Sequence, residues 1–272
     1  MLFAGTEFGV YFTLDGGKNW KQLSGGLPTI AIRDLDIQRR ENDLVLASFG
    51  RGFYILDDYS PLRNMTEEEL NKDAVIFPIK DGLLFLEAGI GGEDYKGSQY
   101  YGAKNPEVGA AITYYIKEAP KSIKAKRQEA EKEANPIKYP SAEELRAEDQ
   151  EESNYLIFAI SDANGKEIRR ISRAYSAGVQ RFTWDGRVGS NMDLNLRGAP
   201  MTNAQGAFFA PPGEYSVSIY KSVNGKADLL TGPQKFNIKH LNNNSFVAKD
   251  KASLAAFQKE VDETGRKLSA ID

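Results

Sequence analysis

The sequence predicts a mainly β protein with two separate β regions, and three observations carry that prediction. Short apolar runs recur along most of the chain, each bounded by Gly, Asn-Gly or Pro turn signals. The 272 residues include 25 Gly, 13 Tyr and 14 Phe, a mixture that favours strands and turns over long helices. Sustained helical spacing of apolar residues is confined to the stretch from Leu254 onward.

Residues 1–63 read as short strands. Leu2 to Thr6 and Gly9 to Thr13 form a hairpin, and a glycine turn then leads into Trp20 to Leu23. Ile32 to Gln38, Asp43 to Phe49 and Phe53 to Asp57 follow. Leu44 and Leu46 alternate with Val45 and Ala47, so the middle strand is apolar on both faces and belongs in a stack of sheets. Residues 64–108 read as a connector, with a Thr66-capped helical turn at 66–71, two short apolar runs (74–78 and 83–86) and a Gly- and Tyr-rich loop at 89–106. The second β region spans 109–240. Its strands are Ala111 to Lys117, Tyr155 to Ser161, Glu167 to Ser172, Val179 to Trp184, Gly213 to Tyr220 and Lys235 to Lys239. Hairpin turns are expected at Asp162-Ala163-Asn164-Gly165 and Asn224-Gly225. Residues 118–153 form a charged insertion that reads as a helical excursion broken by Pro136 and Pro140. The segment 241–272 is helical: Leu254, Phe257, Val261, Leu268 and Ile271 line one face, which needs a partner helix or the β region to cover it.

Composition excludes several functions. A net charge of −3 gives no basic field for nucleic acid or an anionic membrane surface. With no cysteine there are no disulfides, thiolate metal sites or cysteine nucleophiles, although this does not decide the compartment. No apolar run approaches the roughly 18 residues that cross a bilayer, and the first residues carry no signal-peptide pattern.

Two motifs carry a resemblance. Thr13-Leu14-Asp15-Gly16-Gly17-Lys18-Asn19-Trp20 matches the Asp-box, S/T-x-D-x-G-x-x-W, of the bacterial neuraminidase repeats. Asp15 accepts backbone hydrogen bonds of its own turn, Gly17 permits a positive φ, and Trp20 packs over the hairpin. The stretch from Asp43 to Arg63, with Gly50-Arg51-Gly52 and Ile55-Leu56-Asp57-Asp58, resembles the last blade of large bacterial propellers with sortilin-like or Asp-box repeats, often labelled glycosyl hydrolases. That resemblance implies terminal blades of an incomplete β-propeller. A closed propeller needs at least four blades, so further repeats are expected ahead of Met1. The second region resembles the immunoglobulin-like β-sandwich of FlgD type. The residues concerned are Ile160 to Ile168, Phe182-Thr183-Trp184-Asp185-Gly186-Arg187 and Pro211-Pro212-Gly213-Glu214-Tyr215, and the insertion at 118–153 departs from that family.

Candidate chemistry is sparse. His240 is the lone histidine and reads as a solvent-facing loop residue rather than a member of a nucleophilic triad. Asp57 and Asp58 are adjacent on a strand and point to opposite faces, so they cap the strand rather than flank a substrate. Asp34 and Asp36 are the other carboxylate pair near a strand end. No catalytic, cofactor or metal residues are assigned. Thr13, Asp15, Gly17 and Trp20 are structural. Arg51, between two glycines, either pairs with a neighbouring blade or reaches an anionic ligand, and Tyr100 and Tyr101 are open candidates for carbohydrate stacking. Of Tyr114 and Tyr115, at least one must face the core.

The leading reading is thus a non-catalytic C-terminal region of a secreted, periplasmic or cell-surface protein. It closes a propeller with upstream blades of the same polypeptide and serves as a structural or interaction module, with carbohydrate or another cell-envelope protein as further partners. The alternatives are part of a sialidase-like or glucanase-like propeller hydrolase whose catalytic residues lie upstream, and a secretion or surface-attachment module.

Overall fold

The computed structural model describes residues 1–87, 105–133, 139–188, 208–223, 225–243 and 247–269. Strands make up 44% and helices 20%, so the mainly β expectation holds. The chain divides into two compact units, Met1–Lys72 and Asp73–Asp272.

The first unit holds two three-stranded antiparallel sheets. One is β1 (Leu2–Thr6), β2 (Gly9–Thr13) and β3 (Lys21–Leu23), in that order. The other is β4 (Ile32–Gln38), β5 (Asp43–Ser48) and β6 (Phe53–Leu56). Val10, Ile32, Leu44, Leu46 and Tyr59 are buried in one core, with Phe3 and Leu23 from the first sheet packed against it. Cross-strand register decides what else enters. Leu35, Leu46 and Tyr54 form one inward row and Ile37, Leu44 and Leu56 the next. A 3-10 turn, Ser60–Asn64, and α1 (Glu67–Leu70) follow, with Thr66 capping α1 through the Glu69 amide as expected.

In the second unit β11 (Glu167–Ala174), β10 (Tyr155–Asp162), β15 (Gly213–Val223), β16 (Lys226–His240) and β8 (Gly82–Leu84) form a five-stranded sheet in that order. A three-stranded sheet has the order β12 (Gly178–Trp184), β9 (Ala110–Ile116) and β7 (Ala74–Ile76). β13 (Arg187–Val188) pairs with β14 (Phe208–Phe209). The larger sheets share one core: Ile112, Tyr114 and Trp184 from the smaller, and Phe158, Val217, Ile219 and Phe236 from the larger, are all 3% exposed or less. The alternating pattern of β15, buried at Tyr215, Val217 and Ile219, is that of a strand with one face on a core.

The stretch 64–108 does more than connect. Its residues form β7, which pairs antiparallel with β9, and β8, whose Leu83 and Leu84 run parallel to Lys239 and His240. Leu83 also exchanges backbone hydrogen bonds with Gly109, so β8 bridges from the five-stranded sheet toward β9. The unit boundary accordingly falls after Lys72 rather than after Arg63. β16 begins at Lys226, well before the strand expected from Lys235.

The insertion is helical, as its charge pattern implied. α2 (Ile123–Glu133) and α3 (Ala142–Asp149) are tied by Arg127, which pairs with Glu131 on its own helix and Glu148 on the other. Ser141 and Glu144 close a reciprocal capping box at the start of α3, directly after Pro140; Pro136 lies outside the described residues. The last helix, α4, spans Lys251–Ser269.

One backbone approach fixes how the smaller sheet is entered. Gly109 has φ +119°, and a Cβ there would stand 1.8 Å from the Trp184 carbonyl oxygen. Gly109→Ala therefore adds both a strained dihedral and an overlap with backbone that cannot swing aside. It is expected to destabilise the second unit by about 3 kcal/mol or more. Urea unfolding followed by Trp184 fluorescence, in a Trp20→Phe background, measures the loss.

Candidate functional site

The Thr13–Trp20 turn is a closed local network around one carboxylate. The amides of Lys18 and Asn19 each donate to Asp15 Oδ1 at 3.0 Å, Thr13 Oγ1 donates to the same oxygen at 2.7 Å, and Asn19 Nδ2 donates to Oδ2 at 2.7 Å. The Gly17 amide donates to Thr13 Oγ1 at 3.1 Å, and Gly17 has φ +101° with the Trp20 indole against it. These donors, the Asn19 backbone first and then the Thr13 hydroxyl, hold the Asp15 carboxyl far below its ordinary range. Asn19 belongs to this network, although it occupies a free position in the motif. Its amide spacing, four residues after an Asp, is the signal in the sequence. Trp20 remains 44% exposed, so the indole covers one side of the turn only.

The strand-end carboxylates have structural partners. Asp58 sits at φ +46°; its amide donates to Asp43 Oδ1 at 3.0 Å, and its Oδ1 accepts from the Ser60 amide and hydroxyl at 3.1 and 2.6 Å. The neighbouring Tyr59, to which the sequence assigned no role, is 5% exposed. It stacks edge-on with Phe3 at 5.3 Å and receives a hydrogen bond from Arg63 at 2.9 Å. Tyr59 thereby ties the exit of β6 to β1. Asp34 and Asp36 are both exposed, and each accepts from the next residue's amide. Arg51 is exposed in its turn between Gly50 and Gly52, both at positive φ. Tyr100 and Tyr101 lie outside the described residues. Tyr114 is buried and donates to Gln180 Oε1 at 2.9 Å, whereas Tyr115 is half-buried.

His240 is not the solvent-facing loop residue that its neighbours suggested. It ends β16, is half-buried, and its Nε2 lies 2.9 Å from the Ala210 carbonyl oxygen. It borders a cleft of about 180 Å³ lined by Leu84, Phe209, Pro211, Lys251 and Leu254. Lys251 donates to Asn242 there, and among the described residues the lining holds neither a carboxylate nor a hydroxyl to make a triad with the imidazole. Among the described residues, no group of three His, Asp or Glu side chains could hold a metal ion.

The outer face of the β4–β5–β6 sheet is an exposed apolar surface. Register places Asp36, Val45 and Ile55 in one outward row and Asp34, Ala47 and Phe53 in the next. Phe53 is 74% exposed and Ile55 60%. Phe49, just past β5, is also exposed, with the Arg33 guanidinium 4.9 Å over its ring. The face is thus apolar along β5 and β6 and carries two carboxylates along β4. Sequence reasoning anticipated an apolar second face on β5; it missed that Phe53 and Ile55 extend it, because the strand there was noted without its register.

No protein-family model matches the chain, and no curated protein matches it. Among the described residues no helix is long and apolar enough to cross a membrane.

The folded value of Asp15 lies below its unfolded value. Its contribution to stability is therefore complete above the ordinary carboxylate range of about 3.9 and disappears as pH falls below it. Asp15→Asn is expected to lower the melting temperature of the first unit at neutral pH, with the gap to the natural chain closing below about pH 4. A gap that stays constant with pH would mean the charge of Asp15 is immaterial.

Proposed function

We propose that this chain is a non-catalytic structural and interaction module, in which the first unit supplies terminal blades of a β-propeller and the second is an immunoglobulin-like sandwich of FlgD type. The observation that carries this reading is the exposed outer face of the β4–β5–β6 sheet. Phe53 and Ile55 stand in solvent on a strand whose opposite side chains, Tyr54 and Leu56, pack on a core. Fully burying a Phe or an Ile stabilises by about 1.5–3 kcal/mol each. Phe53 is 74% and Ile55 60% exposed, so covering what remains in solvent is worth roughly 2–4 kcal/mol, a sizeable part of the stability of an ordinary domain. Repeat architectures satisfy such faces with the next sheet of the stack.

Further features support the same reading. The Asp-box turn engages both carboxylate oxygens of Asp15 in four local hydrogen bonds, as a folding device at a hairpin tip does. In the second unit two sheets face one core around Trp184, which packs edge-on against Tyr215 and Phe236. The Tyr215 hydroxyl donates to the Pro211 carbonyl oxygen at 2.7 Å, four residues upstream, a link that immunoglobulin-like sandwiches use to pin a strand entry. Burial pushes that phenol up to about 12. The partner of the outer face is an upstream blade of the same polypeptide, and the setting is a secreted, periplasmic or cell-surface protein.

A comparison of two contexts tests the reading. In this chain alone, Phe53→Lys with Ile55→Lys replaces exposed side chains and is expected to change stability by no more than about 0.5 kcal/mol. In the natural polypeptide, with whatever its reading frame encodes ahead of Met1, the same pair is expected to cost several kcal/mol in chemical unfolding. Equal, small effects in both contexts would refute the blade assignment.

A further inference from the structure

Helix α4 carries a second uncovered apolar surface, in the other unit and of a different kind. Leu254, Phe257, Val261, Thr264 and Leu268 follow one another at alternating steps of three and four, the spacing of a coiled-coil seam. The four large side chains on that seam are 42–62% exposed. A neighbouring line of the helix, Lys251, Ala255, Gln258 and Asp262, is half-buried, and the first three border the cleft beside His240. The helix therefore leans on its own unit along one line, with Leu254 also at the cleft, and leaves the seam beside it open from Phe257 onward.

The charges flanking the seam indicate what covers it. Glu260 and Lys267 lie on the flank away from the half-buried line, one heptad apart and opposite in sign. Both are exposed, and neither forms an ion pair within the chain among the described residues. Against a parallel copy of the helix, Glu260 would face Gly265 and stay unpaired. Against an antiparallel copy, Glu260 meets Lys267 of the second chain and Lys267 meets its Glu260. The same alignment sets Phe257 over Leu268 and joins Val261 to Thr264 at the two-fold axis.

We propose that α4 is a self-association element that pairs antiparallel with α4 of a second copy of this chain. The seam from Leu254 to Leu268 is about 21 Å long, which puts the contact among small interfaces. This assignment is independent of the role of the β4–β5–β6 face.

Sedimentation velocity on the whole chain over a concentration series is the test, with Trp184 fluorescence as the control for an intact second unit. The natural chain is expected to pass from monomer to dimer, and Phe257→Ser with Leu268→Ser to stay monomeric. Glu260→Lys and Lys267→Glu are each expected to weaken the dimer about tenfold, and the two together to restore it, since the pairs re-form with signs exchanged. A chain that stays monomeric at millimolar concentration would overturn the proposal. So would a charge-exchanged double variant no tighter than either single one, or a dimer abolished by Phe53→Ser and untouched at Phe257.

Discussion

A β-strand with apolar side chains on both faces needs a neighbour on both sides, and the first unit of this protein supplies only one. The sheet β4–β5–β6 meets that constraint inward, where Leu44 and Leu46 are buried against Val10 and Ile32. Outward it does not, and Phe53 and Ile55 remain in solvent. The arrangement is not adjustable. Register determines which residues share a row, and a one-residue slip would send Leu44 and Leu46 out and Val45 and Ala47 in. The Asp58 turn and the Tyr59–Phe3 contact then hold the end of β6 beside β1. The open face consequently keeps its residues in fixed rows, which favours docking against another sheet over collapse onto itself.

The second unit shows the opposite condition. Its two larger sheets cover each other, and the aromatic group of Trp184, Tyr215 and Phe236 fills the space between them. The backbone near Gly109 passes so close to Trp184 that only hydrogen fits at the Cα. A unit whose sheets satisfy each other offers its partners peripheral elements instead, and α4 is one with exposed apolar surface.

Local chemistry was the most legible part of the sequence. The Thr13–Trp20 turn, the Asp162–Gly165 turn and the Thr66 cap are each set by side chains within four residues of the backbone groups they satisfy. The hairpin of β1 and β2 and the charged helical insertion were legible for the same reason. What escaped was non-local. β7 and β8 are three residues long, too short to show alternation, and owe their strand character to β9 and β16 far along the chain. His240 looked like a loop residue because Asn242 and Asn243 follow it; its hydrogen bond to Ala210 depends on a pairing thirty positions away. The outer face was half-visible. Val45 and Ala47 announced an apolar second side, but adding Phe53 and Ile55 required the register of β6. Tyr59 lay inside a motif noticed for its aspartates, and its burial depends on Phe3 from the other sheet.

Side-chain footprinting with hydroxyl radicals on the polypeptide as its native cell produces it addresses the unsatisfied face most directly. Burial of that face by a further sheet predicts that Phe53 and Ile55 are protected while Phe8, at a hairpin tip, is modified freely. Modification of Phe53 and Ile55 at the rate of Phe8 would contradict the account.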